Sequence, residues 1–176
     1  MKKIKKSNAI KHKEPMAMKT KALWYSLGGI ALLVIVILII IESASGKIVV
    51  KNDTNLNLEY VKAYFVGVEG PISDEIINLE LNSGDDFSEK LAEEYKLLGM
   101  EANLEIRFKF ENQDELFVDA GYFNDTFDGK INIDFTQDDD DSIKLKVKAK
   151  NGLLPSLLIQ CNEVHKINLE EGIVEE

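Results

Sequence analysis

The sequence predicts an all-β fold: an immunoglobulin-like antiparallel β-sandwich of about eight strands with one short helix, preceded by a single transmembrane helix. Three observations carry this. One uncharged apolar run, Ala22 to Ile41, stands near the start of the chain. Two later segments, 101–110 and 143–150, alternate apolar and polar residues one for one. Gly, Asn and Asp recur between short segments of this kind, as turn residues do between strands.

The charges are sorted along the chain. Residues 1–21 hold eight lysines against Glu14, or +7, so the formal net charge of -10 leaves -10 - 7 = -17 for the remainder. The expected organisation is a basic cytoplasmic tail over 1–21, a signal-anchor helix over 22–41, a polar linker over 42–46 and an extracytoplasmic domain over 47–176. Twenty helical residues at 1.5 Å each make about 30 Å, the thickness of a bilayer's hydrocarbon core. Trp24 and Tyr25 suit the headgroup level, and the lysine excess holds the tail inside. The partners this implies are the lipid bilayer, anionic headgroups at the tail and a protein of unknown identity. An acidic domain repels polyanions, which argues against nucleic acid.

Within the domain, Ala102, Leu104, Ile106, Phe108 and Phe110 share one side of a strand. Ile143, Leu145, Val147 and Ala149 do the same, alternating with Lys144, Lys146, Lys148 and Lys150. Period two over such lengths means one face in the core and one in water. Further strands are expected near 47–52, 57–68, 75–82, 115–123, 130–136 and 164–169. A helix is expected where Asp86 caps a segment carrying Phe87, Leu91, Tyr95 and Leu98, with Gly99 ending it. Cys161 is the only cysteine, so no internal disulfide is available and the core must hold the domain.

Four candidate sites stand out. Asp138, Asp139, Asp140 and Asp141 offer carboxylate oxygens of the kind calcium takes, although four consecutive aspartates between two strands are more often a solvated hairpin loop and the spacing is not that of an EF-hand. Calcium is the one cofactor considered. Lys144, Lys146 and Lys148 form a stripe that suits an anionic partner, or that pairs with Asn132, Asp134 and Thr136 on the neighbouring strand. Leu153, Leu154, Leu157 and Leu158, around Pro155, either plug one end of the fold or present an apolar partner patch. Cys161 and His165 are too few for a metal and lack a third group to orient a catalytic pair. Asn52-Asp53-Thr54 and Asn124-Asp125-Thr126 match the glycosylation sequon.

No hydrolase, phosphate-loop or zinc motif is present. The function expected is therefore that of a membrane-anchored, non-enzymatic interaction domain in an envelope or secretion assembly. The alternatives are a calcium-dependent or ligand-sensing module and a small hydrolase.

Overall fold

The computed structural model describes residues 18–43, 46–138, 142–151, 156–169 and 172–174. The chain divides into two compact units, Met1–Ile39 and Ile40–Glu176.

Most of helix α1, Met18–Ser43, lies in the first unit. The apolar side chains described on it are exposed all round, from 40% at Leu38 to 79% at Tyr25. The apolar run is thus helical, but the single-pass assignment built on it is corrected. Among the described residues no helix is long and apolar enough to cross a membrane. The signal-anchor, the bilayer partner, the headgroup contacts and the inside-to-outside topology are withdrawn with it. Most of the lysine-rich tail lies outside the described residues.

The second unit is built from strands β1 Lys47–Asp53, β2 Leu58–Gly67, β3 Gly70–Pro71, β4 Ile77–Leu81, β5 Asp86–Lys90, β6 Tyr95–Lys96, β7 Ala102–Phe110, β8 Leu116–Phe123, β9 Thr126–Phe127, β10 Lys130–Gln137, β11 Ile143–Lys150, β12 Ile159–Asn168 and β13 Gly172–Val174. Eleven of them form one sheet in the order β3-β2-β7-β8-β12-β11-β10-β1-β5, with β4 also on β2 and β13 also on β12; β6 and β9 form a separate ribbon. The sheet curls into a half-barrel around a single core.

This corrects the two-sheet antiparallel sandwich of about eight strands. The reason lies in β12, which is ten residues long and serves two neighbours. Ile159 and Gln160 pair with β8, while Cys161 to Ile167 pair with β11, so one strand joins what would otherwise be two sheets. In addition β1 runs parallel to β10, with Lys47 opposite Lys130 and Asp53 opposite Thr136. Alternation specifies which face of a strand is buried, but not the direction of its partner.

The expected helix over 86–99 is also absent, replaced by β5 and β6. Its apolar positions 87, 91 and 95 lie an even number of residues apart, so they suit a two-residue repeat as well as a helical one. Leu98 distinguishes the two: Tyr95 and Leu97 are buried while Leu98 is 68% exposed. Gly99 has a positive φ of 80°, and Leu97 O accepts from Met100 N at 3.0 Å, closing a turn there.

The core holds six fully buried phenylalanines: 65, 108, 110, 123, 127 and 135. They meet edge to face; Phe65 and Phe123 have centroids 5.0 Å apart, and Phe123 and Phe127 5.4 Å. Buried Asn52 secures the turn after β1. Its Nδ2 donates to Leu56 O at 2.8 Å and Leu81 O at 3.2 Å, and its Oδ1 accepts from Thr54 Oγ1 at 2.7 Å. An amide wholly committed in this way has no exposed nitrogen for a glycan, so the Asn52 sequon is a structural element.

Strand β11 tests the register. Leu145 is fully buried while Lys146, one residue on, is exposed opposite Asp134. Leu145→Ala is expected to cost about 2–5 kcal/mol through lost burial and the cavity left behind. Lys146→Ala is expected to cost less than about 1 kcal/mol, as exposed pairs do. Urea melts of the two variants compare them directly, and equal losses would refute the register.

Candidate functional site: a lysine row across four strands

The expected sites are dispersed in the structure. Asp138 forms an ion pair with Lys144 at 2.6 Å, and its N donates to Ser142 O at 2.8 Å across the hairpin; Asp139 to Asp141 lie outside the described residues. No group of three or more metal-ligating side chains occurs among the described residues. Leu157 is 86% exposed and Leu158 43% exposed, so these two do not plug the fold; Leu153 and Leu154 lie outside the described residues.

Cys161 and His165 both lie on β12. On an extended strand, four residues span about 13 Å, too far for a nucleophile and its base. Cys161 is buried, and burial pushes its thiol up to about 12, the opposite of what a reactive cysteine needs. Glu163 Oε2 stands 3.4 Å from His165 Nε2 without hydrogen-bond geometry, and Glu163 Oε1 accepts from Gly121 N at 2.9 Å.

The lysine stripe of β11 is where the sheet adds information. Lys144 faces Thr136, Lys146 faces Asp134 and Lys148 faces Asn132 on β10. Two further strands extend these pairs into rows, since residues paired across a ladder share a face. One row reads Asp86, Lys51, Asp134, Lys146 from β5 to β11, with alternating signs. The next reads Ser88, Val49, Asn132, Lys148. The last reads Lys90, Lys47, Lys130, Lys150: four lysines on four adjacent strands.

Packing explains how the four come together. Ile48, Val50, Ile131 and Ala149 beside them are buried, which turns the lysines outward. Gly129 lets the strand ends close: a Cβ there would lie 2.1 Å from Lys150 O, and Gly129 O accepts from Lys47 N at 3.2 Å. Among the described residues no carboxylate lies within 4 Å of any of the four ammonium groups. Burial, followed by the charges of Lys47 and Lys150, holds the Lys130 ammonium below the ordinary lysine value.

A second polar surface, on β2 and β7, behaves differently. A shallow depression of about 450 Å³ is lined in part by Lys62, Tyr64, Ser73, Glu75, Arg107 and Glu115. Its cations are already paired in place: Arg107 pairs with Glu105 at 2.6 Å and Glu115 at 3.0 Å, and Lys62 pairs with Glu75 at 3.3 Å. Tyr60 donates to the Glu115 carboxylate, and that hydrogen bond pushes its phenol up to about 12. This network stabilises the sheet face and leaves no unpaired cation in the depression for an anionic ligand.

Sequence reasoning identified Lys144, Lys146 and Lys148 but not Lys47, Lys90 and Lys130. The latter belong to three different strands, and the parallel pairing of β1 with β10 and the antiparallel pairing of β1 with β5 align them. Comparison with protein families, curated proteins and solved structures finds no match to this chain.

Proposed function

We propose that the β-rich unit is a non-catalytic binding domain that takes an anionic ligand on the outer face of β5, β1, β10 and β11. The observation that carries this reading is the contrast between neighbouring rows. A face that needed only cross-strand pairing would alternate signs, as Asp86, Lys51, Asp134 and Lys146 do. Like charges directly opposite one another cost stability, and Lys90, Lys47, Lys130 and Lys150 accept that cost three times over. Departures from local consistency of this kind concentrate at functional sites. The buried, high-pKa thiol of Cys161 and its distance along the strand from His165 support a binding role over a covalent one.

The domain's overall acidity does not oppose this role, because neither the lysine row nor the row beside it carries a carboxylate. Titration of the full chain with inorganic polyphosphate tests it when set beside the Lys47→Gln/Lys130→Gln double variant, which keeps the eight lysines of residues 1–21 and is expected to bind more weakly. Binding is expected at low ionic strength, with log affinity falling linearly in log salt concentration as counterions are released. A neutral polymer such as dextran is expected not to bind. Absence of polyphosphate binding at low salt would overturn the proposal.

A further inference from the structure

Resting on that reading, we infer that the ligand is a thin linear polyanion without bases, of the polyphosphate type, and that it lies across the strands along Lys90, Lys47, Lys130 and Lys150.

The direction follows from the spacing of positive charge. Along β11 the lysines recur at every second residue, about 6.6 Å apart, but beside them on β10 stand Asn132 and the counter-charge Asp134. Across the strands, neighbouring lysines are about 4.8 Å apart, and three intervals make a positive track about 14 Å long. The track is flanked by the row Ser88, Val49, Asn132 and Lys148, which contributes one more cation and no anion. Within these two rows a chain lying across the strands therefore meets only positive or neutral groups. A chain lying along β11 reaches the ion-paired end, where Lys144 is held by Asp138 and Lys146 faces Asp134.

The width of the track selects the class of polymer. One row is a single side chain wide, and the next but one carries Asp86 and Asp134, so a duplex nucleic acid would press its phosphates against carboxylates. Single-stranded nucleic acid is held by a basic groove together with aromatic side chains on which its bases stack. Neither the lysine row nor its flanking row contains an aromatic residue. A flexible chain of closely spaced oxyanions needs only the ammonium donors that the row supplies. Lysine, a compact point charge with three rotatable donors, suits oxyanions without a fixed geometry.

The inference requires a length dependence and a positional dependence. With the full chain, affinity is expected to rise from pyrophosphate through tripolyphosphate to long-chain polyphosphate, and the salt slope is expected to steepen with it. Lys130→Gln is expected to weaken long-chain binding about fivefold, the ratio that ~1 kcal/mol corresponds to. It should also reduce the salt slope by about one. Lys146→Gln, in the alternating row, is expected to leave affinity unchanged. The melting temperature of Lys130→Gln should be equal to or above that of the parent, because the substitution relieves like-charge opposition, so weakened binding could not be ascribed to unfolding.

Pyrophosphate binding as tightly as the long chain would overturn the linear-polymer inference while leaving an anion-binding domain standing. Equal losses in Lys130→Gln and Lys146→Gln would overturn the placement along the row. A single-stranded oligonucleotide that binds more tightly than polyphosphate of matched charge would overturn the base-free assignment. Binding to phosphate displayed on anionic vesicles, but not to soluble chains, would overturn the soluble-polymer assignment. Failure of every anion would remove the proposed function together with the inference.

Discussion

Gly121→Ala is expected to destabilise the domain by about 2–5 kcal/mol, combining about 1–2 kcal/mol for a side chain in the left-handed region with about 1–3 kcal/mol for overpacking. Gly121 has φ of +71°, and a Cβ there would lie 2.4 Å from Cys161 Cβ and 2.8 Å from Gln160 O. The position is a bulge. Between the pairs Ala102–Phe123 and Leu104–Ala120, β8 has two residues, Gly121 and Tyr122, where β7 has only Asn103. The bulge stands beside the point where β12 changes partner, from Tyr122 opposite Gln160 to Ala149 opposite Cys161. Removing a Cβ from the opposing wall should return part of the loss. In a double-mutant cycle Gly121→Ala should therefore cost less on a Cys161→Gly background than on the parent. A urea midpoint for Gly121→Ala equal to that of the parent would refute the close approach.

Period-two alternation locates β7 and β11 in the sequence to within a residue, and it supplies the β10–β11 pairing of Asp134 with Lys146. These strands have one buried face and one wet face, so their side chains state their orientation. What alternation does not carry is the identity and direction of more distant neighbours. The parallel β1–β10 pair joins segments more than eighty residues apart, and the double pairing of β12 occurs beside a bulge that contains Gly121. The 86–99 segment was misleading for a different reason, because apolar spacings of four satisfy a strand and a helix alike. The candidate site inherits these gaps. Its lysines are ordinary solvent-facing residues on their own strands, and they form a row only after the sheet order is known. The helical character of the apolar run was legible from its composition, whereas the membrane topology inferred from it is not upheld among the described residues.

Phe135→Ala is expected to cost about 3–5 kcal/mol, the range for emptying a large aromatic site in a packed core. Phe135 lies on β10, yet its ring meets Phe108 and Phe110 of β7 at 5.2 Å and 5.9 Å, edge to face. In the sheet order, β8, β12 and β11 intervene between those two strands, so the contact spans the core of the half-barrel. Truncating the ring should leave a cavity that neither side can close without moving its strands. Phe135→Leu keeps most of the volume and is expected to cost less than about 1.5 kcal/mol. The two should differ in urea midpoint while sharing the parent's denaturant slope, since the same surface is exposed on unfolding. Phe135 faces inward opposite Leu145, whereas Lys130 on the same strand faces out. Below the unfolding transition, Phe135→Ala should therefore bind polyphosphate as the parent does, with stability and affinity reported by opposite faces of one strand. Loss of binding in a folded Phe135→Ala variant would mean that the lysine row depends on the core more closely than this alternation allows.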